Sequence, residues 1–314
     1  MNLSPIVLFV YNRPWHTIQT VEALLKNDLK AQSNLIIFAD AAKDDHNIEN
    51  VKEVINYIKT INGFKSVTIY EREINYGLAD SIIDGVTSVI DAYGRVIVLE
   101  DDLVTSPLFL KYMNESLEHF ENEKHIFSIT GYNFPSSLMK IPANYIYDTY
   151  LNYRCMSWGW GTWKDRWNIT DWEVKDFNSF IKNTNEVKLF NRGGKDLARM
   201  LKLQMAGEID SWAIRWCYAH FRNQAFCSYP VKSLLKNIGH DGSGTHCGVS
   251  NLSYNQTQIN PSWRPTKYCN DPNDYLNKTI MKNFYQIYNT NIAKEIMFLV
   301  KDFQKKIFSL TPTS

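Results

Sequence analysis

Three things are scarce in this sequence: net charge, long apolar runs and cysteines in pairs. With 34 basic against 33 acidic residues the formal charge is +1. No global field favours nucleic acid, and none is expected as a partner. The apolar run nearest the N-terminus, Ile6–Tyr11, is far short of the ~20 residues that span a bilayer. No basic stretch precedes it and no cleavage-like site follows, so a cytoplasmic protein is expected. The five cysteines (Cys155, Cys217, Cys227, Cys247 and Cys269) are odd in number and form no CxxC. No Cys/His spacing suggests zinc, so buried reduced thiols are expected. Internal repeats are absent too.

What is plentiful is aromatic: 18 Tyr, 16 Phe and 9 Trp among 314 residues. Such rings fill cores and interfaces, and they also stack on the apolar faces of sugars. The first hundred residues alternate regularly. Continuous apolar runs at Ile6–Tyr11, Leu35–Phe38 and Val96–Leu99, with a further strand-like stretch at Ser66–Tyr70, are separated by helical spacing over 15–28, 47–61 and 79–92. Runs of this kind read as strands buried on both faces. Four strand–helix alternations imply an α/β fold with a doubly wound, mostly parallel Rossmann-like sheet. A helix from Ser106-Pro107 to Glu121 and a strand at Ile126–Thr130 continue the pattern. Helical character returns over 185–206 and 210–222.

In doubly wound sheets ligands bind beyond the carboxyl ends of the strands. Asn12-Arg13, Asp40 and Glu100-Asp101-Asp102 all fall at such ends. Three adjacent carboxylates repel one another unless a cation neutralises them. Hard divalent ions such as Mg²⁺ or Mn²⁺ take one or two carboxylates together with phosphate oxygens. Farther along, Gly207-Glu208-Ile209-Asp210-Ser211-Trp212 offers two carboxylates beside a tryptophan. Either could take a proton from an attacking hydroxyl, and Asp210 could equally cap the helix that follows. The loop Gly239-His240-Asp241-Gly242-Ser243-Gly244-Thr245-His246 has the composition to fold over a diphosphate, with Ser243 among its hydroxyls. His246 or His240 could ligate a metal or simply be solvated. The Met156–Trp163 aromatics suit an acceptor platform or packing between lobes.

The stretch from Gly77 through Glu100-Asp101-Asp102-Leu103 to Pro107–Tyr112 resembles the GT-A glycosyltransferases, most nearly the animal N-acetylglucosaminyltransferase I family, whose metal motif is also EDD. Bacterial surface-polysaccharide transferases share similar patterns. The likeness extends to Val7–Arg13, Leu35–Asp40, Gly159-Trp160, Asp210-Ser211-Trp212 and Ser228-Tyr229-Pro230, over residues 5–248. It implies that Asp102 ligates the metal, and the likeness of the Gly239–His246 loop leaves His246 or His240 as candidates for a second ligand. It also implies that Glu100 and Asp101 orient the donor sugar and ribose, that Asp40 accepts a hydrogen bond from uracil, and that Arg13 lies beside the nucleotide. The Gly77 turn and Ser81 would border the donor, although the family's basic and His residues there are replaced by Asp80, Ser81 and Asp84. Among the two downstream carboxylates the likeness favours Asp210 as catalytic base over Glu208.

The expectation is therefore an inverting glycosyltransferase using Mn²⁺ or Mg²⁺. It would move a hexosyl or N-acetylhexosaminyl group from a UDP-sugar to a glycan or lipid-linked saccharide in bacterial surface-polysaccharide synthesis. Residues 1–130 would bind the nucleotide sugar, 131–250 the acceptor, and 251–314 would form an extension. Its amphipathic end, Ile292–Leu310, would fold back on the domain or rest on a membrane face or a partner. A Mg²⁺-dependent nucleotidyltransferase would want a Gly-rich loop where Asn12-Arg13-Pro14 stands. A carbohydrate-binding relative without activity would not need the carboxylates.

Overall fold

The structure is a computed structural model that describes residues 3–242, 257–269 and 276–288. The chain opens with β1 (Ile6–Val10), α1 (Pro14–Leu24), β2 (Asn34–Ala39), α2 (Ile48–Ile58), β3 (Ser66–Glu71), α3 (Leu78–Tyr93) and β4 (Arg95–Glu100). There follow β5 (Leu103–Thr105), α4 (Phe109–His119), β6 (Ile126–Thr130), β7 (Thr149–Asn152) and β8 (Trp160–Trp163). Next come α5 (Lys164–Trp167), α6 (Phe177–Phe180), α7 (Thr184–Phe190), α8 (Leu197–Met205) and α9 (Trp212–Arg222), then β9 (Phe226–Pro230), β10 (Leu235–Asn237) and α10 (Lys278–Ile287).

Eight strands form one sheet in the order β3-β2-β1-β4-β8-β6-β9-β7. The first four are parallel, β8 runs against both β4 and β6, β9 is parallel to β6, and β7 is antiparallel to β9. The α/β class and the mostly parallel sheet are as the alternation implied. The continuous apolar character of β1 has a plain cause. Ile6, Leu8 and Val10 pack with Val21 and Leu24 of α1 and Val54 and Ile58 of α2. Val7 and Phe9 pack on the other face, with Ile82, Val86 and Val89 of α3. Both faces are covered, so every position must be apolar.

Two expectations change in detail. The helical stretch over 185–206 is two helices, because the chain turns at Asn191–Gly194, where Gly194 has φ +149°. A Cβ there would stand 2.6 Å from Asp196 Oδ1 and 2.8 Å from Arg154 Nη1, so the position needs glycine for room as well as for its backbone. The residue-130 boundary falls within one sheet: β8, from the later half, lies between β4 and β6.

A small second sheet positions the site. β10 pairs antiparallel with β5, matching Asn237 to Leu103. That pairing delivers residues 237–242 directly beside the end of β4. Among the described residues no helix is long and apolar enough to cross a membrane. Ser243, His246 and the Ile292–Leu310 segment lie outside the described residues.

Candidate active site

β1 and β4 are neighbours, with Phe9 opposite Glu100. Their carboxyl ends therefore bring the turn after β1 alongside the acidic triplet. Arg13 is the N-cap residue of α1, followed by Pro14 in the first helical turn, a placement that suits the fixed φ of proline. Its carbonyl accepts the Thr17 amide at 3.0 Å, so the backbone is anchored and the side chain reaches across. Arg13 Nη2 donates to Asp101 Oδ1 and, at 3.0 Å, to Asp102 Oδ2. Burial works to lower the Arg13 pKa, but the two aspartates outweigh it and raise it. The guanidinium stays charged.

One cation does not balance three carboxylates. Glu100, half-buried, has its pKa raised from 4.5 to about 8, first by burial and then by Asp102 and Asp101, with Arg13 opposing. Burial raises Asp101 too, again against Arg13. Asp101 is further fixed through its carbonyl, which accepts Thr20 Oγ1 at 2.7 Å. Asp102 is held differently. Its carbonyl accepts the Ile238 amide at 2.9 Å, and among the described residues Oδ1 has only a long contact, 3.5 Å, from Asn237 Nδ2. A Cβ on Gly239 would lie 2.1 Å from Asp102 Oδ2 and 3.0 Å from Arg13 Nη1. Only glycine lets this loop approach so closely. Asp241 Oδ2, 3.0 Å from His16 Nε2, ties the next residues of the loop to α1.

A cleft of about 560 Å³ opens from these carboxylates. Glu100 and Asp102 line one side; Asp210, Leu203 and Ile209 line the α8–α9 side. His240 also lines it, edge-on to Trp158 at 5.4 Å. Burial lowers the His240 pKa, with Asp102 and Asp241 opposing, so a neutral imidazole faces the acidic cluster at neutral pH.

Asp210 does not cap α9. Ser211 is the N-cap, its hydroxyl accepting from the Ile214 amide at 3.4 Å. Asp210 Oδ2 instead accepts the Ala79 amide at 3.3 Å, in the first turn of α3. That turn begins at Gly77, which has no side chain to satisfy the free N–H groups every helix start presents. A carboxylate from another element fills the need and gains from the helix dipole. Glu208 is exposed, as Asp210 is, but it is not a cleft-lining residue.

Asp40 is buried at the end of β2. Its carboxylate accepts amides from Tyr76 at 2.9 Å, Gly77 at 3.1 Å and Ala41 at 3.1 Å. Burial raises its pKa while those amides and Arg72 oppose. It thus shapes the turn into α3, as a strand-end cap does. Ser81 is buried in the first turn of α3 and does not line the cleft. The aromatic segment divides: Trp160 stacks on Trp212 at 4.8 Å and Trp167 at 5.6 Å inside the core. Trp158 alone among its tryptophans lines the cleft.

Several cleft residues had no sequence signal of their own. Asn237 is aimed at Asp102 only through the β5–β10 pairing. Arg154 forms a two-pronged pair with Asp196, at 2.9 and 3.0 Å, and covers the Tyr288 ring at 3.8 Å. These partners are far apart in sequence and no motif joins them.

No protein-family model matches the chain, and no curated protein is detectably similar to it. The resemblance to the N-acetylglucosaminyltransferase I family therefore stays a likeness of motifs. Solved structures similar in shape are glycosyltransferases. S. aureus TarS is 13% identical at a TM-score of 0.42, over 76% of this chain and 37% of that one. Its 1–349 fragment is 12% identical at 0.39, over 74% and 59%. The mannosyltransferase PcManGT from Pyrobaculum calidifontis, solved with GDP-Man and Mn²⁺, is 9% identical at 0.42, over 70% of each chain. This chain spans less than two thirds of the TarS structures. Likenesses this remote carry no argument about activity, which has to come from the chain's own residues.

Proposed function

We propose that the protein is a metal-dependent glycosyltransferase that moves a sugar from a nucleoside-diphosphate donor, with UDP as the favoured nucleotide, to a hydroxyl of a saccharide acceptor, with inversion. The observation that carries this reading is the pairing of Glu100 and Asp102, at the end of a central parallel strand, with Asp210 in one cleft. Among the described residues no group of three or more His, Cys, Asp or Glu is arranged to hold a metal ion by itself, but the chemistry of the donor set suits a hard divalent cation completed by phosphate oxygens. The set is all oxygen, it holds more negative charge than Arg13 neutralises, and burial, followed by the charges of Asp102 and Asp101, drives Glu100 toward its neutral form. Asp102 Oδ1, with only a long contact among the described residues, and Glu100 would hold Mn²⁺ or Mg²⁺, leaving room for phosphate oxygens. Bound there, such an ion neutralises charge developing on the leaving diphosphate.

The chain's own groups do the rest. Arg13 holds Asp101 and Asp102 apart from solvent and in one orientation. Asp210 takes the proton from the acceptor hydroxyl while that oxygen attacks the anomeric carbon from the side opposite the diphosphate. One of its oxygens is occupied by the Ala79 amide, and a carboxylate retains further lone pairs to accept that proton. The Gly239–Gly242 segment, held against Asp102 and His16, closes the cleft on the diphosphate side. The acceptor would lie between Trp158 and the α8–α9 segment. No observation favours a nucleotidyltransferase over this reading.

A panel of nucleotide sugars incubated with the protein and Mn²⁺, read by release of free nucleoside diphosphate, tests it. The expected result is release from one or a few donors, increased by a saccharide acceptor and dependent on Asp210. Release from none, with no donor bound at millimolar concentration, would overturn it.

A further inference from the structure

The α9 side of the cleft carries two thiols for which sugar transfer has no use. Cys155 follows β7 and Cys217 lies in the middle of α9, 62 residues apart in sequence, yet their Sγ atoms are 2.7 Å apart. Non-bonded heavy atoms pack at about 3.5–4.0 Å, and a disulfide is about 2.05 Å long. Approach by roughly 0.7 Å would bring these sulfurs to bonding distance. Both residues are 4% exposed and both line the cleft, which gives a small reagent a route to them.

Their surroundings set them apart from the other described cysteines. Burial works to raise the Cys217 pKa, but the hydrogen bond from the Cys155 thiol and the charge of Arg154 outweigh it and bring it below the usual thiol value. Thiolate character of this kind makes a cysteine reactive. Cys227 is wholly buried, outside the cleft lining, and burial pushes its pKa to about 12. Cys269 is wholly buried and outside the cleft lining as well.

We propose that Cys155 and Cys217 are an oxidisable dithiol, converted by a hydroperoxide entering the cleft into a disulfide that ties the 154–158 segment to α9. The Cys217 thiolate attacks the peroxide oxygen, the O–O bond breaks, and a sulfenic acid forms as hydroxide leaves. The Cys155 sulfur then displaces the sulfenic hydroxyl, which departs with the remaining proton as water. In sum, two thiols and one hydrogen peroxide become one disulfide and two waters. The bond fixes the distance between the segment that carries Met156 and Trp158 and the helix that begins just after Asp210. This inference stands whether or not the protein transfers sugars.

The test uses the full chain, reduced and then freed of reductant. It is treated with equimolar hydrogen peroxide, alkylated in denaturant and digested without reduction. The expected product is a linked Cys155–Cys217 peptide pair, two hydrogens lighter than the two thiols and separated again by dithiothreitol, while Cys227 and Cys269 are recovered alkylated. Because the bond closes a long loop, Tm should rise by on the order of 5 °C on oxidation. Cys155→Ser and Cys217→Ser should each lose both the link and that rise. Should a serine variant fail to fold, the wild-type link and its reversal by reductant still decide the matter. Recovery of both cysteines as alkylated thiols, oxygenation of one sulfur without a link, or a link from either to Cys227 or Cys247 would overturn the proposal.

Discussion

Two arginine–carboxylate clusters border the same cleft with opposite charge balance. Arg154 and Asp196 meet one to one, at 2.9 and 3.0 Å through both guanidinium nitrogens, with Tyr288 beneath. Arg13 faces three carboxylates and holds two of them. The first cluster is complete as it stands; buried pairs with both partners satisfied are structural elements whose loss leaves a stranded charge. The second is short of positive charge, and there burial, together with Asp102 and Asp101, raises the Glu100 pKa to about 8. Imbalance of this kind marks the place where a cationic ligand is expected.

Four substitutions would break or sharpen that contrast. Asp102→Ala should have the largest effect, lowering donor turnover by about a thousand-fold or more, while the metal-free protein melts where the wild type does or higher. Steady-state turnover alongside a melting curve checks both halves. Asp210→Ala should lower kcat by about 10²–10⁴-fold and leave donor affinity within a few-fold, as equilibrium binding would show. Asp196→Ala should do the reverse of Asp102→Ala, costing about 3–5 kcal/mol of stability by stranding Arg154, seen as a shifted urea midpoint.

The smallest effect concerns pH. The folded Glu100 carboxyl, with a pKa of about 8 against an ordinary 4.5, binds its proton more tightly than the unfolded chain does. Below 4.5 both states are protonated and ionisation costs nothing. As pH rises from 4.5 to 8 the unfolded chain releases this proton first, so folding stability falls across that window and levels off above it. Glu100→Gln should flatten this part of the metal-free stability–pH curve, measured by chemical denaturation at several pH values. A wild-type curve that rises from pH 5 to 8, with an unchanged curve in the variant, would contradict the imbalance.

The two clusters also differ in how far the sequence revealed them. Glu100, Asp101 and Asp102 are contiguous and follow an apolar strand, and the alternation of β1 to β4 locates that strand's carboxyl end next to Arg13. Short-range pattern and one topological rule suffice there. Arg154 and Asp196 sit in the half where periodicity is weak. Their meeting depends on a break at Gly194 that splits one helical pattern into α7 and α8, and on the strand pairing of β7 with β9. Asp210 shows a middle case. Its segment was evident, but its partner is the Ala79 amide, 131 residues earlier, and the cap role falls to Ser211. Trp160 and Trp163 likewise proved to be core, since they point to opposite faces of an inner strand and both faces are covered.

The most direct test is calorimetric titration of UDP into the wild-type protein and Asp102→Ala, each with Mn²⁺ and with chelator. Binding by the wild type with Mn²⁺ alone, lost in the variant and kept in Asp210→Ala, is the expected result. UDP binding that is equally strong without metal, or undiminished in Asp102→Ala, would contradict the assignment of the acidic cluster as a metal–diphosphate site.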